Sequence, residues 1–126
     1  MIVIFVGLAG VLGALMRFGL DSFFAQRGRF AHGQAHHFPL ATLSVNVLGS
    51  FIIGLAGGFA SHAELSPDWH SAISIGIAGG LTTFSSFAVA TVSLWQLGNK
   101  FSAMVNIGLN LVLGLGAAWL GLSLAA

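Results

Sequence analysis

Residues 76–87 read Gly76-Ile77-Ala78-Gly79-Gly80-Leu81-Thr82-Thr83-Phe84-Ser85-Ser86-Phe87. Two adjacent glycines precede four hydroxyl residues in six positions, all within the charge-free run 69–99. That run is longer than the roughly 20 apolar residues one straight transmembrane helix needs. The block therefore marks a weak point at mid-depth in a membrane helix. Unwound backbone at that depth survives only when buried in protein or lining a wet cavity, because lipid cannot satisfy its amides and carbonyls. Freed carbonyls are natural ligands for a hard cation such as Na⁺. The simpler reading is a packing face, since Gly, Ser and Thr let helices approach closely. The residues alone leave both readings open.

The rest of the chain places this block in a bilayer. Of 126 residues, 56% are hydrophobic and 6% charged. The seven charges are Arg17, Asp21, Arg27, Arg29, Glu64, Asp68 and Lys100, where a soluble domain of this length carries roughly 30. So few charges cannot cover a water-soluble globule, which excludes a cytosolic enzyme. High hydrophobicity excludes disorder. A net charge of +1 gives no basic field for nucleic acid. With no cysteine there is no disulfide, thiolate nucleophile or Cys-ligated metal. The expected fold is all-α and integral to the membrane: one transmembrane domain over 1–126, with helices at about 2–20, 39–60, 68–97 and 101–124. Pro39 suits a first helical turn. Ser66-Pro67-Asp68 reads as an N-cap, a proline at N1 and an acid in the first turn. Trp69, Trp95 and Trp119 fall near span ends, as an aromatic belt would place them. Loop one, Asp21 to Phe38, is the longest. Arg17, Arg27, Arg29 and Lys100 share one side, so the positive-inside rule puts loops one and three in the cytoplasm and both termini outside.

Several polar residues lie inside these spans. Thr42, Ser44, Asn46 and Ser50 are in helix two, and Asn106 and Asn110 share a face of helix four. An amide at membrane depth needs a partner, and each offers two N–H donors. Three such amides without an intramembrane Asp, Glu or Lys make a donor-rich, uncharged lining. That suits a small anion better than a proton relay, which needs carboxylates; interhelical hydrogen bonding is the alternative use. Phe84 and Phe87 share a helix face. Their positive ring edges could coordinate an anion that has shed water, or the rings could simply face core or lipid. Arg17 stands four residues before Asp21. It reads as a snorkelling anchor or as a charge at a pore mouth that concentrates anions. His32, His36 and His37 form a loop cluster with no acid or cysteine, a weak metal signal.

Taken together, the residues resemble the fluoride channels of the Fluc (CrcB) family. The resemblance rests on Gly13-Ala14-Leu15-Met16-Arg17, on Pro39-Leu40-Ala41-Thr42-Leu43-Ser44-Val45-Asn46 with Gly49-Ser50-Phe51, on Gly79 to Phe87, and on Asn106 with Asn110 followed by Gly114. It covers nearly the whole chain, and the Gly79–Phe87 block is its specific part. The resemblance implies an antiparallel, dual-topology dimer of four-helix subunits in the bacterial inner membrane. It implies two fluoride pathways and a structural central Na⁺ held by the backbone carbonyls of Gly79 and Thr82. The fluoride path would be edged by Phe84 and Phe87. Asn46, Thr42, Asn110, Ser85 and Asn106 would lie along it, with Arg17 in the vestibule. The chain departs from the family at Ala41, which replaces a glycine, and at Ser86 and Ala88, which replace a threonine and a serine. Ala90 stands near an expected glutamate, and Gly114 stands where many members carry a hydroxyl.

The implied function is passive, selective fluoride export by a channel, with no enzymatic step. Lysine and arginine fall four to none on the two sides, where dual topology expects near balance; the expected assembly is a homodimer that tolerates this bias, with an oppositely oriented partner subunit as the alternative. Two other classes share this architecture or composition. A small multidrug-type exporter needs a carboxylate within helix one, and residues 1–16 contain none. A non-transporting membrane scaffold has no need of a break at Gly79-Gly80-Leu81-Thr82-Thr83.

Overall fold

The computed structural model describes residues 1–26, 38–62 and 64–125. Four helical spans among them are long and apolar enough to cross a membrane. The first is α1 (Ile2–Gln26) and the second α2 (Leu40–Ser61). The third runs over Pro67–Gln96 and is built in pieces. They are α3 (Pro67–Ser71), a π-helical stretch (Ala72–Ala78), α4 (Gly79–Leu81) and α5 (Phe84–Gln96). The fourth is α6 (Lys100–Leu124).

Helix α1 runs past the expected end near Leu20, and Asp21 to Gln26 are helical rather than loop. No glycine or proline occurs there to stop it, and the Phe23 and Phe24 rings meet edge-on at 5.8 Å. Arg27, Arg29, His32, His36 and His37 lie outside the described residues. Pro39 stands just before α2 rather than inside it. Helix α3 opens on Ser66, whose side chain accepts from the Trp69 N–H, with Pro67 and Asp68 in the first turn. Between α5 and α6 the chain reverses at Gly98, whose φ of 83° suits a residue without Cβ. Asn99 then caps α6 by accepting from the Ser102 N–H at 3.3 Å.

Two pairs of spans carry the packing. Helix α2 lies along α6, and α1 lies along the first half of the third span. Both contacts are made at glycines. A Cβ on Gly54 would strike the Ala118 carbonyl, and one on Gly121 the Phe51 carbonyl. A Cβ on Gly13 would strike the Ile77 carbonyl, and one on Gly80 the Gly10 carbonyl. The expected small-residue packing is therefore present at these positions, whereas Gly7, Gly19, Gly108 and Gly116 face open space. The core is made mostly of alanines, Ala41, Ala56, Ala78 and Ala103 among them, with Leu81 and Val45 the largest apolar side chains fully buried. The outer faces of α1 and α6 leave Val3, Leu8, Val112 and Leu115 exposed, an apolar exterior suited to lipid.

Gly54→Val or Gly121→Val should lower thermal stability in detergent by about 1–3 kcal/mol, because the new side chain meets backbone that cannot yield. Gly7→Ala should leave the melting temperature within a few degrees. Equal melting of all three variants would remove the glycine contacts from the packing account.

Candidate functional site

The third span breaks at Thr82 and Thr83, near the midpoint of its 30 residues. Thr82 has φ −75° and ψ 157°; Thr83 has φ −148° and ψ 115°. Both are extended, a conformation β-branched side chains accept readily. The glycine pair is not where the helix opens, since Gly79 keeps φ −65° and ψ −37°. Gly80 serves the α1 crossing instead.

One side chain holds the break open. The Asn46 Oδ1 accepts from the Thr83 N–H at 2.8 Å, and the Asn46 Nδ2 donates to the Thr83 carbonyl at 3.3 Å. The amide thus does for Thr83 what a neighbouring peptide does in a sheet. Because the Thr83 N–H is spent on Asn46, it no longer closes a helical bond to the Gly79 carbonyl. The Thr82 carbonyl accepts from the Arg17 Nη1 at 3.2 Å. The Thr83 Oγ1 accepts from the Ser86 N–H at 3.2 Å and so caps α5. It lies 3.2 Å from the Ser85 Oγ and donates to the Ser86 Oγ at 3.2 Å.

From this clamp a polar line crosses the helices. Asn46 Nδ2 also donates to Asn110 Oδ1 at 3.0 Å. Asn110 Nδ2 donates to the carbonyl of Asn106 at 2.9 Å and to its Oδ1 at 3.1 Å. Asn106, fully buried, donates from Nδ2 to Thr91 Oγ1 at 2.9 Å. Thr91 donates to the Phe87 carbonyl at 2.8 Å. The line joins α2, α6 and α5 without a formal charge. Each buried amide finds the partners that burial demands.

The sequence-derived residues fall as follows. Asn46, Asn110 and Asn106 lie in the line, and Ser85 sits beside the clamp. Phe84 and Phe87 are neighbours, with ring centroids 5.8 Å apart and planes tilted by 48°. Phe84 is 80% exposed on the single chain, whereas Phe87 is half-buried. Thr42 is buried but takes no part in the line. Arg17 turns inward to the break rather than standing off at a mouth. Gly79 is exposed one turn before Thr83. Among the described residues no group of three His, Asp or Glu is placed to hold a metal. Sequence reasoning missed Thr83 and Thr91. Thr83 stood in the quoted block, but only the fold reveals that Asn46 binds its backbone. Thr91 carried no signal, since its partner is 15 residues away on another helix.

These features define a class: a multi-pass α-helical membrane protein whose spans are joined by an uncharged line of amides and hydroxyls. The family described as "CrcB-like protein, Camphor Resistance (CrcB)" matches residues 4–122, and the chain belongs to it. It is 44% identical over 125 residues to a protein of Aeromonas salmonicida, covering 98% of this chain and 94% of that one. It is 40% identical over 121 residues to one of Vibrio parahaemolyticus, covering 95% and 91%. It is 37% identical over 119 residues to one of Shewanella amazonensis, covering 94% and 91%. All three relatives bear the name fluoride-specific ion channel FluC.

Asn46→Leu removes the partners of both Thr83 backbone groups, each worth about 1–3 kcal/mol when left unsatisfied. The variant should melt well below wild type, and amide exchange at Thr83 should quicken. Unchanged exchange at Thr83 would show that Asn46 does not hold the break.

Proposed function

We propose that the chain is a fluoride-selective channel through which fluoride leaves the cytoplasm passively, with no bond made or broken along the way. The observation that carries this reading is the uncharged polar line, which ends on the Phe87 carbonyl, together with the adjoining Phe84 and Phe87 rings. Fluoride holds water tightly, so a pore must offer close donors in exchange, and a carboxylate in the line would repel it. The name shared by the relatives supports the same ion.

The working unit is an antiparallel homodimer in the bacterial inner membrane, with the break at mid-membrane. An exposed Phe84 on each chain then edges a path at the subunit boundary, and a two-fold axis makes two equal paths. Asn46, Asn110, Asn106, Thr42 and Ser85 flank that path, and Arg17, bonded to the Thr82 carbonyl at the break, adds positive potential beside it. A structural Na⁺ fits the break. The Gly79 carbonyl has lost its helical donor to Asn46, and the Thr82 carbonyl keeps one lone pair beside that facing Arg17. Two carbonyls are too few for a hard cation, and the two-fold partner supplies the other pair. Bound there, Na⁺ ties two broken spans together and adds a fixed positive charge near the anion path.

Purified protein in liposomes should release fluoride quickly and retain chloride, read by ion-selective electrodes; release of both, or of neither, would overturn the channel reading. Phe84→Ile or Phe87→Ile should lower fluoride release at least tenfold with the assembly intact by size exclusion, and normal release from both would remove the ring edges from the path. Replacing Na⁺ by a bulky organic cation should lower both release and melting temperature. A full titration without effect on either would count against the cation site.

A further inference from the structure

Two of the three amides in the polar line have no donor to spare, and the third, Asn106, is fully buried against Thr91. Both protons of Asn46 Nδ2 are taken, by the Thr83 carbonyl and Asn110 Oδ1. Asn110 Nδ2 is taken by the two oxygens of Asn106. An anion reaching this layer therefore needs another donor, or must break the clamp that holds the helix open.

Such a donor stands one turn further along. A groove of about 240 Å³ runs between α2 and α6, with room for a small ion and several waters. Only two of its lining residues, Asn110 and Ser50, carry polar side chains. Ser50 is four residues after Asn46 and Gly114 four after Asn110, so this layer continues the faces that carry the line. Ser44, Ser71, Thr82, Thr91 and Ser123 each donate to the carbonyl four residues back. Ser50 makes no such bond, and its hydroxyl has no hydrogen-bond partner among the described residues. Gly114 leaves the space over it open: a Cβ there would sit 3.5 Å from the Ser50 Oγ, in ordinary contact.

Resting on the channel reading above, we propose that Ser50 is an anion-coordinating residue of the path. Its free O–H donates to fluoride in the groove beside Gly114, after the layer whose amides are committed to the fold. The hydroxyl rotates about one bond, so it can turn to the ion and away again without disturbing the clamp. Glycine at position 114 is then a requirement of this site, since a side chain would fill the space the ion uses unless it brought a hydroxyl of its own.

The test is fluoride efflux from liposomes bearing wild type, Ser50→Ala, and Ser50→Ala combined with Gly114→Ser. Ser50→Ala removes one oxygen and should keep the wild-type melting temperature in detergent. Its fluoride release should fall roughly tenfold to a hundredfold, the effect of losing one hydrogen bond to a charged group. The double variant returns a hydroxyl from the opposite wall and should recover most of the rate. Wild-type release from Ser50→Ala would overturn the assignment while leaving the channel reading intact. So would a loss of release in Ser50→Ala that the double variant, folded to the same melting temperature, fails to restore. A wild type silent to fluoride would overturn the channel reading and this assignment with it.

Discussion

The amide of Asn46 binds both backbone groups of Thr83, and most of the molecule's chemistry depends on that contact. A break in a membrane span strands amides and carbonyls where neither water nor lipid can serve them. Left alone, Thr83 would return to the helix and its N–H would close on the Gly79 carbonyl. Asn46 makes the extended form satisfied instead of strained. The same bond that serves the Thr83 N–H removes it from Gly79, so the freed carbonyl oxygen and the stabilised break arise in one step. A side-chain amide is the suitable group because it carries donor and acceptor at the spacing of a peptide and brings no charge.

That contact requires helices closer together than ordinary side chains allow. Asn46 reaches Asn110 because α2 and α6 approach through Gly54 and Gly121. Arg17 reaches the Thr82 carbonyl because α1 meets the third span at Gly13 and Gly80, and Arg17 is one turn beyond Gly13. In this chain, packing at small residues and polar chemistry at the break are consecutive parts of one construction. The two uses considered for the glycines and amides were never alternatives. The glycines bring the backbones together, and the amides hydrogen-bond across the short distance that results.

Much of this was legible in the sequence. Four spans follow from where seven charges fall, and residues 76–87 announce a break by composition. Its location was less legible. Glycine pairs suggest flexibility, but here Gly80 is fixed by α1 and the threonines next to it take up the extended backbone. The end of α1 lies beyond Asp21, which looks like a boundary, because no glycine or proline stands between it and Gln26. Asn106 and Asn110 were placeable on one face by their spacing alone. Their partners were not, since Thr91 and Asn46 come from other helices and only tertiary packing brings them near. Arg17 was read as an anchor or a mouth charge; its carbonyl partner lies 65 residues away.

The absence of ionised groups from the line follows from the same physics. An amide can close a hydrogen-bonded line on itself, giving one partner what it takes from another. A carboxylate only accepts, and a lysine only donates. A charged member would need a counter-ion at depth or a costly unpaired burial. It would also either repel a passing anion or trap it. An amide frame avoids each of these, but it commits its donors to the fold. On the channel reading proposed above, selectivity for a small anion then rests on groups that border the frame without belonging to it: rotatable hydroxyls, phenyl edges and the Arg17 charge at the break. The fold keeps those two sets of residues apart, with Asn106 buried, Asn46 and Asn110 half-buried, and Phe84 exposed on the outer face of the chain.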